Sequence, residues 1–318
     1  MPHNRVYAIV NPHAAYGRAR KKWPVVLEHL KQEGFEVFWQ FTQRRFHAYH
    51  IAKEMVQKGA RCLISVGGDG TFNEILNGVL NCPGYVRPEL AIVPIGTGAD
   101  LAKTLGIPEE DWRAGVAVIK NGITKSIDVG EITLQTKTKQ WKRYFANDFD
   151  AGLGGNVDRI ANTIPKGVGG FLTFLLSSIL AVITFKPMKL KVWINNKFVE
   201  DTFIPIVGVA NGQYFGGDMH IAPMAVTDDG VFEVLYVKNT NIFKFLFHVL
   251  AKVYKAEHLK YHNVHHFQAK ELRIQSDQLY LMDVDGEVEK AQEVSVKIIP
   301  KAIKIRVSIH EIEPRESK

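Results

Sequence analysis

Cys62-Leu63-Ile64-Ser65-Val66, Gly67-Gly68-Asp69-Gly70-Thr71 and Phe72-Asn73-Glu74-Ile75-Leu76 follow one another without a break. The first run is short, apolar and bounded by glycine, the pattern of a buried strand. Phe72, Ile75, Leu76 and Val79 have the spacing of one helix face, so the chain leaves the glycine turn as a helix. Such a turn directs backbone N–H groups and the positive end of a helix at one spot, which suits a phosphate. Glycine lets the backbone approach an anion with no side chain in the way. Asp69 is the odd member, because a carboxylate repels phosphate. It implies either Mg²⁺ nearby or a hydrogen bond to a ligand hydroxyl. The plainer reading is an ordinary strand-to-helix turn; Gly-Gly-Asp-Gly-Thr running directly into Phe-Asn-Glu speaks against it.

Upstream, Val6 to Val10 reads as a strand ended by Asn11-Pro12, and a basic stretch around Gly17 leads to a helix from Trp23 to Glu33. Phe35 to Phe41 reads as a strand stopping at Thr42, and His47 to Lys58 as a helix. Downstream, Leu90 to Pro94 is a strand that stops at Ile95-Gly96-Thr97-Gly98-Ala99-Asp100, and Trp112 to Asn121 is a helix. Strands alternating with helices predict a parallel sheet covered on both faces. Ligands bind such sheets at the carboxyl ends of the strands. Asn11, Thr42, Gly67 to Thr71 and Gly96 to Asp100 all sit there.

The pattern changes after Asp128. Ile132–Thr136, Lys142–Ala146, Met188–Ile194, Phe203–Ala210, Val231–Val237 and further short runs to Ser308 read as strands. Many short strands with turns between them predict a β-sandwich. The expected division is an α/β domain over 1–127, a sandwich over 128–310 and a charged tail over 311–318.

A chain of 318 residues is long enough for a core in each domain. Its net charge of +7 favours anionic partners such as nucleotides or an acidic membrane surface. The lysines are spread along the chain, so nucleic acid is set aside. Cys62 and Cys82 are the only cysteines, and one lies in an expected buried strand, which argues against a disulfide framework and for the cytoplasm. Met1-Pro2-His3-Asn4-Arg5 leads straight into a strand, leaving no room for a signal peptide. Gly167 to Phe185 carries no charge and reads as a buried helix, a membrane-facing helix or a span. His258, His262, His265 and His266 invite a zinc reading, but no cysteine accompanies them.

Taken in order, the motifs resemble the diacylglycerol kinase catalytic family, the soluble bacterial lipid kinases, with sphingosine and ceramide kinases as wider relatives. The resemblance runs through Asn11-Pro12, Thr42, the glycine loop with Phe72-Asn73-Glu74, and Pro94-Ile95-Gly96-Thr97-Gly98. It continues through Asn147, Ala210-Asn211-Gly212, Asp228-Asp229-Gly230 and Asp285-Gly286-Glu287. It implies a Rossmann-like α/β nucleotide domain, related to that of NAD kinases, plus a β-sandwich, with a lipid hydroxyl meeting the γ-phosphate of ATP in the cleft between them. Carried over, nucleotide contacts fall on Asn11, Thr42, Gly67, Gly68, Asp69, Gly70, Thr71, Phe72, Asn73, Gly96, Thr97 and Gly98. The base falls on Glu287, and Mg²⁺ on the Val226 and Val231 carbonyls with the Asp229 carboxylate. The bare residues leave open whether Asp285 or Glu287 is the base, since both flank a glycine turn; with Glu287 as base, Asp285 is expected to hold metal-bound water, and Asp69 is expected to be a catalytic residue as well. The family usually has asparagine where Ala99 stands, and a small residue where Asp218 stands. Peripheral attachment to a membrane follows from a lipid substrate, and a homodimer from the resemblance alone. The rival readings are an NAD kinase, a phosphofructokinase-like enzyme, and a membrane-binding relative without catalysis.

Overall fold

A computed structural model of the chain describes residues 4–309 except 97, 109–110, 162, 164–176, 178–179, 182–183, 185–187, 239 and 242–243. Most of the apolar stretch 167–185 and the whole charged tail 311–318 lie outside the described residues. Among those described, no helix is long and apolar enough to cross a membrane. The chain forms two compact units, the first made of residues up to Ile127 and again from Lys301, the second of Asp128–Pro300.

The first unit alternates β1 (Arg5–Val10), α1 (Arg18–Gln32), β2 (Glu36–Phe41), α2 (His47–Gln57), β3 (Cys62–Gly67), α3 (Asp69–Leu80), β4 (Glu89–Pro94), α4 (Asp100–Thr104) and α5 (Trp112–Asn121). Its strands lie in the order β2-β1-β3-β4, all parallel. Every residue of β3 is buried, as expected of a central strand with helices on both faces. Trp23, Val26 and Leu30 of α1 and Trp112, Val116 and Ile119 of α5 pack on one side of Val6, Ala8, Ile64 and Val66. Burial in this apolar core pushes the Cys62 thiol up to about 12, and Cys62 and Cys82 are both free and buried. α1 begins at Arg18, a turn earlier than the apolar periodicity alone indicates, because the basic residues Arg18, Arg20 and Lys21 are good helix formers.

β5 (Ile123–Gln135) carries the chain into the second unit. There follow β6 (Gln140–Phe145), β7 (Asp148–Gly152), α6 (Leu153–Ala161), β8 (Met188–Ile194), β9 (Lys197–Ile204), β10 (Ile206–Ala210), β11 (Phe232–Val237), β12 (Val264–Ala269), β13 (Glu271–Val284) and β14 (Glu287–Val307). Strands run β12-β11-β10-β7-β13-β14, with β8 on β13 and β9 on β8. Phe145, Phe149, Phe232, Tyr280 and Met282 lie at the centre of its core. Four readings change here. The run Phe203–Ala210 is two strands, because Pro205 has no N–H for a ladder. β13 is one strand whose register shifts between Gln275 and Tyr280, where the sequence pattern breaks in two. β7, which alternates acidic and apolar residues, is a buried strand. The last strand, placed with the sandwich by its sequence, leaves it: β14 runs on and pairs Ile305 with Leu90 of β4, in the first unit.

Candidate active site

Four loops of the first unit leave the carboxyl ends of its parallel strands, and backbone bonds join neighbours. The Asn11 N–H donates to the Val66 carbonyl at 3.0 Å, and the Asn11 amide Nδ2 to Thr71 Oγ1 at 3.1 Å. The Thr42 N–H donates to the Val10 carbonyl at 2.9 Å. Between the two glycine turns there is no space for a side chain. A Cβ on Gly68 would lie 2.7 Å from the Gly98 carbonyl oxygen, and one on Gly96 would lie 2.7 Å from the Gly68 Cα. Glycine is required at both for this contact. Thr97 lies outside the described residues.

Asp69 sits at the start of α3, and its carboxylate accepts the N–H of Asp100 at 2.9 Å and of Leu101 at 3.3 Å. It therefore caps α4 from the neighbouring loop. Ala99, at the cap position of α4, has no side-chain oxygen to do so and is 2% exposed. The carboxylate that sequence reasoning assigns to a metal or a ligand hydroxyl thus has a local structural role, holding the two glycine turns together. Phe72 and Asn73 are buried within α3, and Asn73 accepts from the Asn77 amide.

Glu74 also works across loops. Its oxygens accept the N–H groups of Phe46 at 2.7 Å and Ala48 at 3.0 Å. In the sequence this residue belongs to a motif without a role of its own. A carboxylate set into an otherwise apolar helix face is the signal that it has a partner.

In the second unit, Asp285 and Gly286 make the two-residue turn joining β13 to β14, with φ of 48° and 84°. Asp-Gly suits this left-handed hairpin turn. The Asp285 side chain is buried, and its carboxylate accepts the backbone N–H groups of Ala146 at 2.9 Å, Asn147 at 3.0 Å and Asp148 at 2.9 Å. Asp285, read from the sequence as an alternative base, thus has its carboxylate engaged with backbone donors. Three donors occupy its oxygens, and it holds the segment before β7 against the turn. Glu287, half-buried, is the first residue of β14, directly after that turn.

Val226, Asp229 and Val231 lie around a turn stapled by Asp128. The Asp128 N–H donates to the Thr227 carbonyl at 2.7 Å, and its carboxylate accepts the Gly230 N–H at 2.7 Å. Asp229 accepts the Val231 N–H at 3.1 Å. Partial desolvation, together with the negative charges of Asp128, Glu233 and Asp228, raises the Asp229 pKa above the ordinary carboxylate range. Surplus negative charge around an oxygen donor fits a hard cation such as Mg²⁺. The sequence missed another acidic group. Asp148 and Asp150 on β7 and Asp283 on β13 are buried, with carboxylate oxygens within 4.8 Å of one another. Only the pairing of Asp150 with Asp283 across β7 and β13 brings them together.

The histidines disperse. His258 bonds the Ile221 carbonyl at 3.0 Å, His266 pairs with Glu233, and His265 stacks on Tyr236. Among the described residues, none joins a group able to hold a metal. Gly216, Gly217 and Asp218 take left-handed conformations in succession, which explains Asp218, since aspartate tolerates them better than most residues.

Residues 5–132 match the model of the diacylglycerol kinase catalytic domain, and residues 148–307, half of the chain, match that of the YegS C-terminal NAD kinase beta sandwich-like domain. The chain belongs to the diacylglycerol kinase catalytic family. Family membership makes it an enzyme, a lipid kinase. Among its relatives is the diacylglycerol kinase of Bacillus subtilis, 28% identical over 287 residues, which is 89% of each protein. The diacylglycerol kinase of Staphylococcus haemolyticus is 28% identical over 283 residues, 88% of this chain and 81% of the relative. The fold recurs in the crystal structure of a diacylglycerol kinase from Bacillus anthracis, with a TM-score of 0.73 at 22% identity over 98% of this chain and 100% of that one. Yeast NADH kinase is a distant neighbour of the kinase fold, with a TM-score of 0.54 at 14% identity, covering 97% of this chain and 84% of that one.

Proposed function

We propose that this lipid kinase transfers the γ-phosphate of ATP to the hydroxyl of diacylglycerol at a membrane surface. The observation that carries the reading is the pair of glycine turns laced by Asp69 at the start of α3. Glycine turns beside a helix start, at the carboxyl ends of parallel strands, are the setting in which phosphate groups bind. In the transfer, the lipid oxygen forms a bond to the γ-phosphorus while the bond from that phosphorus to the β–γ bridging oxygen breaks, leaving ADP. Such transfer is mostly positioning and charge neutralisation. Asn11, Thr42, Gly67 to Thr71 and Gly96 to Gly98 contact the nucleotide, while the buried Phe72 and Asn73, expected as contacts from the sequence, support the turn from within α3, and Glu287 takes the hydroxyl proton. Asp229, with the carbonyls of Val226 and Val231, holds Mg²⁺, which neutralises the acidic turn when bound. The enzyme works in the cytoplasm and attaches to the bilayer peripherally, since its substrate does not diffuse freely through water.

The test is incubation of the purified protein with γ-labelled ATP, Mg²⁺ and, in parallel, diacylglycerol, ceramide and sphingosine in mixed micelles, and NAD in solution. Label in phosphatidic acid supports the reading. Label in NADP with none in lipid replaces it with an NAD kinase.

A further inference from the structure

We infer that Glu74 is a positioning residue that sets the placement of the 42–46 loop against the glycine turn. The inference rests on the nucleotide reading above, in which Thr42 and the glycine turn both contact ATP.

α2 begins at His47 with a poorly equipped N-terminus. Phe46, at the cap position, has φ of 62° and no capping side chain, and the first turn contains no acidic residue. The first N–H groups of a helix need acceptors. Glu74 supplies them from α3, one oxygen to Phe46 and the other to Ala48. These are bonds to a carboxylate at the positive end of a helix, and both charge and dipole strengthen them. Glu74 is 9% exposed, so water competes little for its oxygens.

One turn further along α3, a Cβ on Gly78 would lie 2.4 Å from the Tyr49 carbonyl oxygen of α2. The two helices thus touch backbone to backbone at Gly78 and are clamped by charge at Glu74. They behave as one body. Glu74 also lies four residues after Gly70, on the helix that begins in the glycine turn. The other end of the 42–46 loop is tied to the sheet through the Thr42 N–H and the Val10 carbonyl. Inside the loop, the Gln43 N–H donates to His47 Nδ1 at 3.0 Å, and the His47 N–H to the Arg44 carbonyl at 3.2 Å. The loop has little slack of its own, so its far end goes where Glu74 goes. Without that carboxylate, the start of α2 loses two acceptors and comes loose, and Thr42 loses its fixed place opposite the glycines.

The experiment compares wild type with Glu74→Gln and Glu74→Ala. ADP affinity is measured by calorimetry, KM for ATP and for lipid and kcat by assay, and amide exchange at Phe46 and Ala48 by mass spectrometry. For Glu74→Ala, KM for ATP and Kd for ADP rise about tenfold, the weight of one hydrogen bond to a charged group. Its kcat and KM for lipid change by less than about threefold, the same energy scale applying. Glu74→Gln, which keeps one acceptor oxygen and nearly the same shape, falls between the two, and carries the test alone if the alanine variant does not fold. Exchange at Phe46 and Ala48 quickens in both variants. A lower melting temperature with unchanged KM for ATP, or kcat falling while KM holds, overturns the inference. If the wild type binds no ADP, the nucleotide reading itself fails; if it binds and Glu74→Gln binds equally well, only the role of Glu74 fails.

Discussion

The carboxylate of Asp69 accepts the backbone N–H of Asp100 at 2.9 Å. This bond crosses from the start of α3 to the start of α4 and closes one glycine turn over the other. Asp69→Ala leaves the N–H groups of Asp100 and Leu101 without this acceptor, at a cost of about 3–6 kcal/mol for two bonds to a charged group. The expected outcome is a folded protein with a lower melting temperature and no measurable phosphoryl transfer. Asp69→Asn keeps an acceptor oxygen and restores most of the stability. Wild-type turnover in the asparagine variant would show that the negative charge itself has no part in catalysis.

Asp285 and Glu287 stand two residues apart and have separable roles. Asp285→Ala removes the acceptor from three buried N–H groups, and urea unfolding should report a loss of about 3–5 kcal/mol. Asp285→Asn recovers part of it. An alanine variant as stable as wild type would mean that the segment 146–148 finds other acceptors.

For Glu287→Gln the expectation is reversed. Its stability changes by less than about 1 kcal/mol, because glutamine keeps the shape of the side chain and one acceptor oxygen. Turnover falls by about 10²–10⁴, the usual contribution of a general base. ADP affinity, measured by calorimetry, does not change. If turnover persists, the proton leaves by another route and Glu287 is not the base.

The raised pKa of Asp229 gives a pH signature whose sign is set. A carboxyl with a higher pKa folded than unfolded binds its proton more tightly in the native state, so its contribution to stability is present at low pH. That contribution is lost as pH rises through the raised value. Mg²⁺ relieves the loss by taking the place of the proton. Melting temperature should therefore rise with Mg²⁺ at neutral pH and respond little near pH 4, where about half of ordinary aspartates are already protonated. Asp229→Asn should abolish the Mg²⁺ response at both. An unchanged response in that variant would place the cation elsewhere.

Membrane attachment should follow salt. With a net charge of +7, the protein should co-sediment with vesicles of phosphatidylglycerol at low salt and less so as salt rises. An anionic surface attracts each nearby Lys or Arg by about 1 kcal/mol, and the Debye length is about 8 Å at physiological ionic strength. A protein that ignores acidic vesicles at low salt, yet phosphorylates a soluble short-chain alcohol efficiently, would remove the membrane reading.

What sequence alone settled here is what short-range chemistry controls. The apolar run from Cys62, the glycines after it and the spacing of Phe72, Ile75 and Leu76 define a strand, a turn and a helix locally, and the parallel sheet follows from repeating that unit. The kinship to lipid kinases was legible for the same reason, because its motifs sit in turns whose backbone demands particular residues. The fate of the carboxylates was not legible. Asp69 and Glu74 look alike on paper as acids near a phosphate loop, and Asp285 looks as available as Glu287. Their partners are backbone N–H groups far away in the sequence: Asp100 for Asp69, Phe46 for Glu74, and Asn147, 138 positions away, for Asp285. The meeting of Asp148, Asp150 and Asp283, and the return of β14 to the first unit, depend likewise on which strands become neighbours. A carboxylate's role is decided by the donors around it, and only the tertiary structure brings those donors to it.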